Sequence, residues 1–252
     1  MKHLTIQLSD SSVRFTSLQD SSVLLEKEYS FQDKKDHRYK EQLTSFIEEA
    51  GLKNQEHDEH TISWSSTKTT LVPMNIFSES KPERIFQLCF GNDTPSNEID
   101  YNRLSELGIV NVFEIPLWVK TFFILQHPRS IIQHESSMLI RGMFNSSTFK
   151  MKISLTVYGQ HFLLMIAQQN KLVFYSVFDF QNHQDIIYHL MFTLQQKELM
   201  EESGELIWSE GTGANKALFE DVQNEMKRIE NLAGIKVVKD TKFIVNSHKL
   251  CV

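Results

Sequence analysis

Polar and apolar residues alternate with a period of two from the start of the chain: Leu4, Ile6 and Leu8, then Val13, Phe15 and Leu18, then Val23 and Leu25 on to Phe31. Successive side chains of a strand point to opposite faces, so this period predicts three strands. The polar separators at 9–12 and 19–22 make them an antiparallel meander. The period then changes. Tyr39, Leu43, Phe46, Ile47 and Ala50 recur at helical spacing, with Gly51 where a C-terminal cap belongs. A charged loop at 53–60 precedes short strands at 61–64 and 69–72. A helix opened by Pro82 and closed by Gly91 comes next, then a loop at 92–97 and two strands, 103–107 and 109–115, around Gly108. Pro116 opens a helix carrying Leu117, Phe123 and Ile124; a strand at 131–132 and a helix over 135–144 follow.

From Lys150 the opening pattern returns, in Ile153, Leu155 and Val157, then Phe162, Leu164 and Ile166, then Leu172, Phe174, Ser176 and Phe178. Turns are expected at 158–160 and 168–171, then a helix whose stripe is Ile186, Ile187, Leu190, Met191 and Leu194. A strand at 205–208, a turn at 210–213, a helix with Leu218, Val222, Met226 and Ile229, and strands at 235–238 and 243–245 complete the chain. Gly142 and the polar run 145–147 mark a seam, dividing the chain into an N-terminal lobe, 1–148, and a C-terminal lobe, 149–252. Two halves that each open with a meander and continue strand and helix by turns predict a duplicated α/β protein, its lobes carrying mixed sheets and flanking helices around a cleft. Two unrelated α/β segments are the alternative.

Composition narrows the function classes. Of 252 residues, 40% are hydrophobic and 23% charged, so the chain can build its core without metal or disulfide help. The formal net charge is −6, and the one short basic cluster, Lys34 and Lys35, runs into Asp36. Nucleic-acid binding draws on a positive surface and is not expected. Cys89 and Cys251 have neither metal-ligand nor disulfide-framework spacing and read as reduced thiols. Gln7, Ser9 and Asp10 interrupt the opening apolar run, and the longest later one, 162–167, is far below a membrane span. The expectation is a cytoplasmic protein with no membrane insertion and no signal peptide.

Three stretches carry a family likeness: Ile6-Gln7-Leu8-Ser9-Asp10-Ser11-Ser12-Val13-Arg14, Leu155-Thr156-Val157-Tyr158-Gly159, and Leu206-Ile207-Trp208-Ser209-Glu210-Gly211-Thr212-Gly213-Ala214. Their order resembles the actin-like, ribonuclease H-like ATPase superfamily, with two phosphate loops followed by the strand, glycine turn and helix that hold adenosine. Residues 130–188 are similar to the actin-like assembly proteins of type IV pilus and type II secretion systems. Lys171-Leu172-Val173-Phe174-Tyr175 and Asp185-Ile186-Ile187-Tyr188 resemble an uncharacterised bacterial family, a domain of unknown function with the same fold.

The resemblance implies ATP as cofactor, with an Asp in each phosphate loop to place Mg²⁺ and the attacking water. Here the chain departs from the pattern. Gln7 stands for the first Asp and Ser9 for the loop glycine, while the second loop offers Thr156, Val157 or Tyr158. A neutral amide and a phenol do not hold Mg²⁺ as carboxylates do. The leading expectation is a catalytically inactive relative acting as a binding or assembly module for a protein partner, with no cofactor of its own and ATP as the one candidate. The alternative is an ATPase or phosphotransferase using displaced acids such as Asp10, Asp179 or Glu210.

No catalytic set is assigned. Gly211, Thr212 and Gly213 precede a helix and are the candidate nucleotide or anion site; a tight strand-to-helix turn accounts for the same glycines. Lys216 does not make a phosphate-binding P-loop, because Asn215 and Ala217 flank it at the wrong spacing. His57, Asp58, Glu59 and His60 offer ligand types, but a solvated turn explains them without a metal. His134, Glu135, Ser136 and Ser137 contain a base and hydroxyls without a nucleophile elbow, and read as a helix start. Asp179 and Asp185 around Asn182 read as caps. The aromatic run Phe174, Tyr175, Phe178, Phe180, Tyr188 and Phe192 serves either core packing or an interaction surface.

Overall fold

The structure, a computed structural model, describes residues 1–20, 22–33, 36–53, 55–233 and 235–251; the Lys34 and Lys35 cluster lies outside them. The chain divides into two compact units, Met1–Leu139 with Ser247–Val252, and Ile140–Asn246.

In the first unit, β1 (Lys2–Leu8), β2 (Ser12–Gln19) and β3 (Ser22–Ser30) form the antiparallel meander. Helix α1 (Asp36–Glu49) returns the chain to β4 (Glu59–Trp64), parallel to β1. A small antiparallel sheet is inserted next, built from β5 (Thr69–Pro73), β6 (Ile99–Leu104) and β7 (Ile109–Glu114), with α2 (Pro82–Phe90) placing Phe86 among Val72, Val110 and Val112. Helix α3 (Leu117–Gln126) then leads to β8 (Ile131–His134), parallel to β4, and α4 begins directly after it (Glu135–Phe144). The main sheet has the order β3-β2-β1-β4-β8.

The second unit repeats this plan with β9 (Met151–Val157), β10 (His161–Gln168) and β11 (Lys171–Asp179), then α5 (His183–Gln196), β12 (Gly204–Glu210), α6 (Lys216–Ala233), β13 (Ile235–Lys239) and the start of α7 (Phe243–Lys249). Its sheet order is β11-β10-β9-β12-β13, the same sequence of first, second and third strands beside two parallel ones. The duplication extends to an irregularity. Gln19 pairs with Ser22 and Gln168 with Lys171, and each third strand then carries one extra residue, Leu24 in β3 and Val173 in β11. Gln169 and Asn170 take left-handed φ of 52° and 58°, as a two-residue hairpin turn requires.

Two expected elements differ. The strand placed at 103–107 is β6, at Ile99–Leu104, and Ser105–Leu107 is a 3-10 turn ended by Gly108 at φ 65°. Asp100 and Asn102 hid its period, because this strand spends polar side chains on tertiary bonds, Asp100 accepting from Lys120 at 3.3 Å and Asn102 from the His134 amide at 2.8 Å. The strand expected at 243–245 is helical: Asp240 Oδ1 accepts the Lys242 amide at 2.8 Å and starts α7, overriding the strand preference of Phe243, Ile244 and Val245. Leu218, expected on the stripe of α6, lies outside the described side chains.

Each sheet buries one core. Ile6, Leu8, Phe15 and Ile62 are fully buried in the first unit, and Ile153, Leu155, Phe162 and Trp208 in the second. Strand β12 lies so close to β9 that a methyl on Gly204 would fall 2.3 Å from the Met151 carbonyl oxygen. Backbone cannot yield as a flexible side chain can. Gly204→Ala is therefore expected to lower unfolding free energy by roughly 3 kcal/mol, read as a reduced urea midpoint at unchanged m value.

Candidate functional site

The β1–β2 turn, which the resemblance matches to a first phosphate loop, has backbone donors that are already engaged. The Ser9 hydroxyl accepts the amides of Ser11 (3.3 Å) and Ser12 (3.1 Å), and the Ser9 amide donates to the Ser12 carbonyl at 2.9 Å. A glycine at position 9 would leave those amides open to an anion; the serine closes them on itself. Asp10 is exposed at the tip, its carbonyl accepting the Tyr39 hydroxyl at 2.8 Å.

Behind the turn, Gln7 is buried on β1, and its Oε1 accepts from Arg14 Nη1 at 3.4 Å, while Nε2 has no partner among the described residues. Arg14 in turn pairs with Glu28 at 2.7 Å. Register makes this ladder, since Gln7 faces Arg14 across β1–β2 and Arg14 faces Glu28 across β2–β3. A guanidinium thus lies beside the position where a metal-holding carboxylate is expected, and its charge opposes a divalent cation there.

In the second unit the glycine turn of residues 211–213 packs against the β9–β10 turn. The Gly211 amide donates to the Val157 carbonyl at 2.8 Å, and a methyl on Gly211 would lie 2.3 Å from two ring carbons of Tyr158. Tyr158 is 2% exposed and stacks on His161 at 4.6 Å. A methyl on Gly159 would lie 2.9 Å from the Gly213 carbonyl oxygen, and Gly213 has φ 74°. These glycines serve close approach and a left-handed turn. Thr212 is buried, and its hydroxyl has no partner among the described residues. Thr156, one of the three neutral residues the second loop offers, bonds Ser209 at 3.0 Å.

The stretch from His134 to Ser137 forms a buried network in the first unit. His134 Nδ1 lies 2.8 Å from Ser136 Oγ, within reach for a base and a hydroxyl. Yet Asn111 Nδ2 donates to both Ser136 and Ser137 at 2.9 Å, its Oδ1 accepts from Thr69 at 2.6 Å, and Ser63 donates to Glu135 at 2.8 Å. All of these side chains are buried. The network fixes the start of α4 on β5, β7 and β4. Asn182 and Asp185 form a reciprocal capping box on α5.

Residues 1–227 match the family described as protein of unknown function (DUF3822). The chain belongs to this family. A Bacteroides thetaiotaomicron protein of unknown function with an actin-like ATPase fold is 21% identical, superposes with a TM-score of 0.77, and the match covers 100% of this chain and 96% of that one. A chain of the PilM-PilN type IV pilus biogenesis complex is 8% identical with a TM-score of 0.63, over 95% of this chain and 88% of that one. No curated protein matches significantly. The fold of this family member is thus the duplicated actin-like, ribonuclease H-like one. Among the described residues no helix is long and apolar enough to cross a membrane, and no group of three or more His, Cys, Asp or Glu is placed to hold a metal ion.

The histidines of the 57–60 run do more in this family member than line a solvated turn. His57 Nε2 bonds Ser17 Oγ at 2.9 Å, and His60 stacks on His127 at 4.7 Å. Nearby, Thr61 Oγ1 lies 2.8 Å from His3 Nε2 and 3.0 Å from His248 Nδ1, tying β1, β4 and the end of α7 together. Nothing in the sequence signals a link between positions 61 and 248. Burial is the first cause that pushes His3 and His60 down to about 4 and His248 to about 3; Lys249 then acts on His3, His127 on His60, and His3 on His248.

Folded values below the unfolded value of about 6.5 mean that the native state refuses protons the unfolded chain accepts. The stabilisation is complete above pH 6.5 and is lost as pH falls toward 4. Unfolding free energies from urea titrations at pH 7.5, 6 and 5 should change little above pH 6.5 and then fall, by on the order of 1 kcal/mol per pH unit for each of His3 and His248. His248→Asn should flatten that dependence.

Proposed function

We propose that this protein is a catalytically inactive member of the actin-like ATPase fold that works as a cytoplasmic binding or assembly module for a protein partner. The observation that carries this reading is the self-closed β1–β2 turn, where Ser9 occupies the amides a phosphate would need beside an Arg14 guanidinium that disfavours Mg²⁺. Tyr158 packed on Gly211 supports it from the second unit. That a chain of similar fold belongs to the PilM-PilN type IV pilus biogenesis complex supports an assembly role.

A second reading, a nucleotide-dependent ATPase or phosphotransferase, is favoured by one feature. Asp179 lines an open cavity of about 580 Å³ with Gly159, Gln160, Phe180, Gln181 and Asn215. On that reading Asp179 replaces the missing carboxylate, and the neighbouring turn of Gly211, Thr212 and Gly213, which does not itself line the cavity, is the candidate nucleotide-binding turn.

Thermal unfolding with and without ATP and Mg²⁺ separates the two, because a ligand bound only by the native state raises its stability by mass action. The expected result is an unchanged midpoint and no phosphate release. A Mg²⁺-dependent rise with phosphate release, abolished in Asp179→Asn, establishes the enzyme reading instead.

A further inference from the structure

The outer strands of the two sheets differ in a way their shared plan does not require. Both β3 and β11 pair on one side only among the described residues, and both carry the same bulge. An open strand edge offers unpaired amides and carbonyls to any other strand, and charged residues on it discourage such pairing. Strand β3 follows that rule, with Glu26, Lys27 and Glu28 exposed in succession. Strand β11 breaks it: from Leu172 to Phe178 it has no charged residue and no proline.

The surface beside β11 is also apolar. A groove of about 310 Å³ runs between it and α5, lined by Phe174, Phe178, Tyr188, His189, Phe192 and Lys197 among others. Tyr188 and Phe192, one helical turn apart, are 62% and 45% exposed and stack on each other at 5.7 Å. Ile186, Leu190 and Leu194 already supply the buried stripe of α5, so these two rings are not needed for it.

The charges at the ends of β11 indicate what covers this face. Lys171 opens the strand and Asp179 closes it, both exposed. Laid antiparallel to its own copy about residue 175, the strand brings Lys171 to the end where the second copy's Asp179 lies, and Asp179 to the second copy's Lys171. A twofold contact is self-complementary in this way by necessity. We infer that β11 and α5 form the interface of a homodimer, in which two copies join edge to edge into one continuous sheet with Tyr188 and Phe192 closing over the seam. The inference stands independently of whether nucleotide binds.

Sedimentation equilibrium of the full chain over a micromolar concentration series tests it by charge exchange. The wild type should dimerise. Lys171→Asp alone and Asp179→Lys alone each set like charges opposite one another twice per dimer and should weaken association roughly tenfold or more. The double exchange, Lys171→Asp with Asp179→Lys, should restore it. Tyr188→Asp with Phe192→Asp should also weaken association, with the monomer's circular dichroism unchanged because both residues are exposed. A wild type still monomeric at about 100 µM overturns the inference. So does a double exchange that associates no better than the single ones, or a dimer indifferent to all four changes.

Discussion

The structure depends on the position of β1 and β9, which have hydrogen-bonded strands on both sides and packed side chains on both faces. All seven residues of β9 are buried, as are six of the seven in β1. No water reaches such a strand, so each polar side chain on it must find a partner or remain unsatisfied at a cost of about 1–3 kcal/mol. His3 meets Thr61, Gln7 meets Arg14 and Thr156 meets Ser209. These contacts are built into the centre of each sheet, where no charged side chain takes part except Arg14.

The same burial explains how much could be read from sequence. Strands of a meander alternate cleanly, and helices such as α1 and α5 show their stripe, so the order of elements and the duplication were legible. Departures came where polar side chains were spent on bonds to other elements or on a helix cap. Asp100 and Asn102 obscured β6, and Asp240 capped α7 against the preference of the three residues after it. At the candidate site the neutral residues at 7, 9 and 156–158 were visible. The hydroxyl of Ser9 closing its own loop, the ring of Tyr158 on Gly211 and the His3–Thr61–His248 contact were not, because each depends on residues brought together by folding.

The glycines show why a motif alone is ambiguous. A turn with glycine before a helix suits an anion, since backbone can approach it closely. Here the approaching group at Gly211 is an aromatic ring of the same unit, and at Gly159 it is the carbonyl of Gly213. The physical requirement, room without a Cβ, is the same in both cases.

The matched extra residues, Leu24 and Val173, lie at the same place in two hairpins whose side chains have otherwise diverged. Backbone geometry has outlasted chemistry here: one constant offset along the chain carries Leu24 onto Val173, Gln7 onto Thr156 and the acid-rich 26–28 stretch onto the uncharged 175–177. The two meanders are therefore interchangeable cassettes in main-chain terms, and a chimaera that carries the first one twice would keep the ladder of each sheet while replacing its aromatic rim with a charged one.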